Sequence, residues 1–216
     1  MSSRLKQAIK LTIPVMAGYV FLGSAFGILV QSHGFSIWIA LFMSLFIYSG
    51  AMQFATLPLL LNPIALIQVF VLTVSISARH LFYGLSMLKP FETLGKKKGY
   101  MIFALTDESY SLLLNHTDDD QLMFSIEAIN HFYWIVGTIL GYLFGNLIPF
   151  SVAGIEFSMT ALFIVIFLDK LFEGQLEPLM IGLFVSGLSL LLFGSQYFII
   201  PSMVGIVIGL LLRRKS

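Results

Sequence analysis

Three charged side chains are flanked by apolar residues on both sides. Arg79 lies within Val74-Ser75-Ile76-Ser77-Ala78-Arg79-His80-Leu81-Phe82-Tyr83, and the adjacent acids Asp107 and Glu108 lie within Leu105-Thr106-Asp107-Glu108-Ser109-Tyr110. A guanidinium is a planar fork of donors that fits a carboxylate in a two-pronged pair. Two acids beside one such cation leave one acid over. An unpaired carboxylate in apolar surroundings lowers its cost by taking up a proton. Arg79 is therefore a candidate for binding a carboxylate, with Asp107 and Glu108 as candidate proton-coupling groups. The bland alternatives are an arginine that snorkels to an interface and two acids in a wetted loop.

Other polar groups share these apolar stretches. Ser75, Arg79 and Tyr83 are spaced i, i+4, i+8 and fall on one helix face, with His80 about 100° around, and His80 and Tyr83 join Arg79 as substrate-binding candidates. Arg79 stands 15 residues after Ile64, roughly 22 Å along a helix rising about 1.5 Å per residue. In Tyr48-Ser49-Gly50-Ala51-Met52-Gln53-Phe54 the Ser and Gly weaken a helix, and Gln53 adds an amide with donors and acceptors. One reading is a broken helix whose freed backbone groups bind a zwitterion, which nominates Ser49, Gly50 and Gln53. The other is a small-residue packing face with Gln53 bonded to a neighbour. Glu127, Asn130, His131 and Trp134 form a weaker set at helical spacing, and Asn130 joins the substrate candidates. Asp169-Lys170 reads as an end-of-helix pair without function.

The elements that carry these groups follow from composition. The 216 residues are 58% hydrophobic and 11% charged, with mean hydropathy +0.94. Soluble domains carry about a quarter charged residues, so water cannot be the solvent for most of this surface. Apolar segments run over about 10–31, 36–61, 63–88, 100–115, 121–148, 155–173, 177–194 and 197–212. Most reach the roughly 17–25 residues that cross a bilayer. Segment 100–115 is short and acidic, as a re-entrant or protein-buried piece would be. The expectation is an all-α, polytopic transmembrane helix bundle of about seven spans, with a range of six to eight. The connections are too short for a soluble domain, so residues 1–216 read as one membrane transporter domain.

The basic N-terminus (Arg4, Lys6, Lys10) and C-terminus (Arg213, Arg214, Lys215) both call for the cytoplasm, hence an even number of crossings. Lys89 and Lys96 to Lys98 ask for the same side although three apolar segments precede them. Either one segment between 36 and 88 does not cross, or this loop breaks the rule. The first apolar stretch is too long for a signal peptide and reads as a retained span. A faint echo links Gly18-Tyr19-Val20-Phe21 and Ala40-Leu41-Phe42 with Gly141-Tyr142-Leu143-Phe144 and Ala161-Leu162-Phe163, the kind of internal repeat that transporters carry.

Several function classes drop out. A net charge of +1 without basic-aromatic runs argues against nucleic acid. No H-E-x-x-H, G-x-S-x-G or G-x-G-x-x-G occurs, so no enzyme, cofactor or metal site is expected. Cysteine is absent, which removes disulfides and thiolate ligands.

The glycine-rich first span, Ser49-Gly50-Ala51-Met52-Gln53-Phe54, Ala78-Arg79-His80-Leu81-Phe82-Tyr83-Gly84 and Leu105-Thr106-Asp107-Glu108-Ser109 together resemble the azaleucine-resistance permease family. These are the large subunits of branched-chain amino acid exporters. The resemblance implies a bacterial inner-membrane permease for leucine, isoleucine, valine and methionine, partnered by a separate small membrane subunit of about four spans. Where that family often has Asn before the Arg-His pair, this chain has Ser77-Ala78. The competing class is a membrane scaffold subunit whose polar groups only join helices.

Overall fold

The computed structural model describes residues 3–62, 65–147 and 176–198, with parts of 164–172 and 201–209. Among the described residues there are helices and no strands. They divide into two compact units, Met1–Ser158 and Met159–Ser216.

The described residues of unit one form seven α-helices: α1 (Ser3–Ser32), α2 (Ile37–Phe46), α3 (Gly50–Leu61), α4 (Leu66–Met87), α5 (Lys98–Ala104), α6 (Asp107–Leu113) and α7 (Asp120–Phe144). Among the described residues, only α1 is both long and apolar enough to cross a membrane by length and composition.

Its axis is the pair α1 and α7, which run parallel. Arg4 meets Asp119 and Gln121 at one end, Val20 meets Gly137 and Ser24 meets Gly141 midway, and Ile28 and Gln31 meet Gly145 at the other end. Small residues allow this approach. Gly23 and Gly27 on α1 face Gly137 and Gly141 on α7, both pairs in G-x-x-x-G spacing, which puts the glycines on one helix face. A Cβ on Gly23 would stand 2.8 Å from the Trp134 carbonyl oxygen, and one on Gly27 or Gly141 would overlap the backbone of Thr138 or Ser24. The Gly18 and Gly141 echo is not this contact, because Gly141 faces Ser24. Its partner segment 161–163 lies outside the described residues.

The single span expected over 36–61 is instead a helical hairpin. α2 has 10 residues and α3 has 12, about 15 and 18 Å long, each half of a roughly 30 Å core. α2 starts near the C-terminal end of α7, where the Tyr142 hydroxyl donates to the Phe35 carbonyl at 2.9 Å. It then descends to Tyr48, which stacks on His131. α3 returns, since the Gln53 amide donates to Ser44 Oγ at 3.1 Å. Leu57 shares a core with Ala40, Phe26, Leu29 and Val30. The reversal is local chemistry. Tyr48 adopts φ 42°, Ser49 is extended, and Gly50 starts the return helix.

A second hairpin comes from the opposite end. α5 rises from the lysine loop, and α6 falls back to the turn before α7, each being 7 residues long. Ala8, Met87, Phe91, Leu94, Met101, Leu113, Leu122 and Met123 form one core, and the Thr93 hydroxyl donates to Asp120 at 2.8 Å. The lysine loop therefore lies at the same end as the N-termini of α1 and α7.

Unit two holds α8 (Leu176–Tyr197), kinked where Gly194 takes φ 71°. In residues 201–209, Gly205 faces Val185 and Gly209 faces Ile181 on α8.

Candidate functional site

The two hairpin tips meet α7 and α1 near the middle of their lengths. The last carbonyls of α2 lose their helical partners at the break, and α7 supplies one. His131 Nε2 lies 3.0 Å from the Ser44 carbonyl. A carbonyl only accepts, so Nε2 carries the hydrogen. In the neutral ring, Nδ1 then accepts from the Tyr100 hydroxyl at 3.1 Å. His131 thus ties α2, α5 and α7 together. A second chain orders the interior: Gln53 donates to Ser44 Oγ, which sits 2.9 Å from Thr138 Oγ1, and Thr138 donates to the Trp134 carbonyl.

The two tips are capped differently. Thr106 caps α6 by accepting from the Ser109 N–H, and Ser109 Oγ accepts the Thr106 N–H in return. Ser49 occupies the matching place before α3, but its side chain makes no cap bond. The first amides of α3 are left without a side-chain cap at the positive end of that helix. Trp134 closes over this point, its ring 2.8 Å from where a Cβ on Gly50 would stand. Gly50 is required there by close approach. Tyr19 packs edge-on to both Trp134 and Tyr48, with centroids 5.7 and 6.5 Å away.

Around the tips lie buried polar atoms without hydrogen-bond partners among the described residues: Tyr48 Oη, Ser49 Oγ, Gln53 Oε1, Glu127 Oε2, the whole Asn130 amide and Trp134 Nε1. Gln53, Glu127 and Asn130 are fully buried. Each such atom costs about 1–3 kcal/mol if left unsatisfied, so a cluster of them is a feature to be explained. By type they divide into acceptors (Gln53 Oε1, Asn130 Oδ1, Glu127 Oε2) and donors or hydroxyls (Asn130 Nδ2, Trp134 Nε1, Tyr48 and Ser49). That set can satisfy an ammonium and a carboxylate together.

The outer surface shows the opposite chemistry. Trp38, Phe42, Phe46, Leu66, Phe70, Phe132 and Leu143 are exposed while Glu127 and Asn130 are buried. Apolar outside and polar inside is the arrangement for a lipid solvent.

The sequence profile described as "AzlC protein" matches residues 14–148, the stretch that contains both tips. The chain belongs to the AzlC family. It is 41% identical to the "Branched-chain amino acid transport protein AzlC" of Bacillus subtilis, covering 97% of this chain and 85% of that protein. It is 40% identical to an "Uncharacterized membrane protein" of Haemophilus influenzae, covering 98% and 91%. The "Inner membrane protein YgaZ" of Escherichia coli is 27% identical over 75% of this chain and 71% of its own length. No solved structure matches. The protein is a membrane protein of a family linked by name to branched-chain amino acid transport.

Within this AzlC-family chain, the expected site residues are placed as follows. Ser49, Gly50 and Gln53 lie at the first tip, and Asn130 is buried on α7 one turn before Trp134, the residue that covers Gly50. Glu108 and Asp107 open α6 at the second tip, and Glu108 Oε2 accepts from the Tyr19 hydroxyl at 2.9 Å. Tyr83 stacks on Tyr110 of α6 at 4.6 Å. His80 turns to its own helix, with Nδ1 3.2 Å from the Ser77 carbonyl, and its ring packs edge-on to Tyr83 at 6.1 Å, reaching α6 only through that residue. Arg79 lies on α4 one turn before Tyr83, and its side chain is outside the described residues. Nothing in the sequence alone sets Tyr19, Ser44, Tyr100 or Thr138 apart. A Tyr or Thr among apolar residues carries no signal until its hydroxyl is seen to bond.

Proposed function

We propose that this protein is the permease subunit of a bacterial inner-membrane exporter of branched-chain amino acids, working with a separate small membrane subunit and coupled to protons. The cluster of unpartnered buried polar atoms at the meeting of the two tips carries the reading. An α-amino acid supplies an ammonium for Asn130 and Glu127, one turn apart on α7, and a carboxylate for the uncapped start of α3, with Gln53 further along the same interior. Its aliphatic side chain suits walls such as Trp134 and Phe54. Arg79 serves the substrate carboxylate or pairs with Asp107, and Glu108 is on the proton path.

In this reading α1, α4 and α7 cross the bilayer, while the hairpins α2–α3 and α5–α6 enter from opposite sides and return. With the three apolar segments after 150, this makes about six full crossings, an even number that leaves both basic termini and the lysine loop in the cytoplasm. Broken helices whose termini point at substrate near the midplane recur in secondary transporters.

The test is leucine counterflow in proteoliposomes holding this chain with and without its co-purified small subunit, together with leucine efflux from cells loaded with leucine dipeptide. Counterflow that competes with isoleucine and valine supports the reading. An inserted protein without counterflow in either preparation favours a scaffold subunit. Arg79→Lys should impair transport strongly although charge is kept, because an ammonium cannot form the planar fork.

A further inference from the structure

We propose that Glu127 and Glu108 are the two ends of a hydrogen-bonded proton relay through the hydroxyls of Ser109, Thr106 and Tyr19. This deepens the transport reading above and names its coupling path. The links are continuous. Ser109 Oγ lies 3.2 Å from Glu127 Oε1, Ser109 Oγ 3.0 Å from Thr106 Oγ1, Thr106 Oγ1 2.6 Å from Tyr19 Oη, and Tyr19 Oη 2.9 Å from Glu108 Oε2. The relay runs from α7 across the tip of the second hairpin to α1 and back to α6. Glu127 is fully buried, whereas Glu108 is half-buried.

The hydrogens balance. With one proton shared between two carboxyls, protonated Glu127 donates to Ser109, Ser109 to Thr106, Thr106 to Tyr19, and Tyr19 to the Glu108 carboxylate. Transfer along the row leaves the proton on Glu108 and every hydroxyl intact, with each bond reversed. Each hydroxyl gives one hydrogen and accepts one in both states, so neither end state leaves a relay group unpaired.

Other groups facing Glu127 do not offer the same exit. His131, one turn along α7, has both ring nitrogens engaged by Ser44 and Tyr100. The Tyr48 hydroxyl meets no hydrogen-bond criterion with any of the described residues, and Tyr100 on α5 is committed to His131. On α4, Tyr83 stacks on Tyr110 and Arg79 is placed by its backbone alone. Asn130 stands one turn beyond Glu127 on α7, and Glu127 Oε2 has no hydrogen-bond partner among the described residues, so an ammonium bound there and a held proton compete for one carboxyl. That competition is what exchange of substrate for proton requires.

The test uses proteoliposomes containing the full chain as purified, with a pH-sensitive dye inside and an imposed leucine gradient. Tyr19→Phe keeps the ring contacts with Trp134 and Tyr48 but removes one link. We expect protons moved per leucine to fall at least roughly tenfold, while leucine counterflow stays within roughly twofold. Ser109→Ala cuts the row at its other end and should act alike. Tyr142→Phe, which loses a hydroxyl bond outside the row, should keep the normal ratio. An unchanged proton-to-leucine ratio in either Tyr19→Phe or Ser109→Ala overturns the relay, and leaves the transport reading intact if counterflow persists. Absent counterflow in the unaltered protein overturns the transport reading itself.

Discussion

The Tyr48 ring lies 4.1 Å from the imidazole of His131, centroid to centroid, and the same residue holds a backbone φ of 42°. A non-glycine residue in that region costs about 1–2 kcal/mol, so the tip is held open by contacts rather than by local preference. Tyr48→Ala keeps the strain and loses the stack; Tyr48→Gly loses both. Thermal unfolding in detergent should therefore rank Tyr48→Gly above Tyr48→Ala, by about 1 kcal/mol. The reverse order would mean that the turn is not strained.

Glycine contacts make a second prediction. Gly27→Ala and Gly141→Ala place a methyl into backbone across the α1–α7 seam, which cannot yield like a side-chain tip. Each should destabilise by about 1–3 kcal/mol or more and lower the yield of inserted protein. Gly84→Ala on α4 meets nothing within 4 Å and should be neutral or slightly stabilising, as expected for alanine replacing glycine in a helix. Melting temperatures of the three purified variants decide it.

How much of this was legible in the sequence depends on what each residue signals alone. The weak helix at Ser49-Gly50 and the acids of Asp107-Glu108 announce themselves, because Gly, Ser and charge are costly in apolar helices. The reversal at Tyr48 does not, since ten and twelve apolar residues in a hairpin have the same composition as one long span. Only the lysine loop points to it, through an orientation conflict to which a returning hairpin is one answer. The partnership of Gly23 and Gly27 with Gly137 and Gly141 was equally hidden, because small residues recur throughout such helices and only the crossing selects four of them. In sequence Tyr19 is one more aromatic, and only the place of its hydroxyl between Thr106 and Glu108 distinguishes it.

Topology can be read by labelling, since the native sequence has no cysteine. Ser3→Cys and Lys96→Cys should react with a membrane-impermeant maleimide from the same side, the cytoplasmic one. Asn62→Cys, at the end of α3, should react from the opposite side. Labelling of Lys96→Cys and Asn62→Cys from one side would contradict a returning hairpin followed by a crossing α4.

At the Arg4 end, Asp119 caps α7, accepting from the Gln121 and Leu122 N–H groups at 3.1 Å and from Arg4 at 2.9 Å. Donation from the Leu122 N–H, aided by Arg4 and Gln121, holds the Asp119 carboxyl below the usual carboxylate range. A lowered folded value means the stabilisation is complete above the unfolded value of about 3.9 and is lost as pH falls through the folded one. Asn also caps well but does not titrate. The stability difference between the native protein and Asp119→Asn should thus be flat above pH of about 5 and drift only in acid. Arg4→Ala should cost little and less still in high salt, because the pair is exposed, whereas Asp119→Ala should cost about 1 kcal/mol at any salt.

The unpartnered Asn130 amide separates stability from function. Both its nitrogen and its oxygen are buried without partners among the described residues, so without substrate the side chain is a liability of about 1–3 kcal/mol per unsatisfied group. Asn130→Leu replaces it with an apolar group of similar size and should raise the melting temperature while abolishing leucine counterflow. Substrate should then stabilise the native protein against heat and leave the variant unchanged, since a ligand stabilises only a fold that binds it. If Asn130→Leu instead lowers the melting temperature, the amide is bonded in the resting protein and is part of the frame around the tips. If it keeps normal transport, the substrate ammonium is held without Asn130.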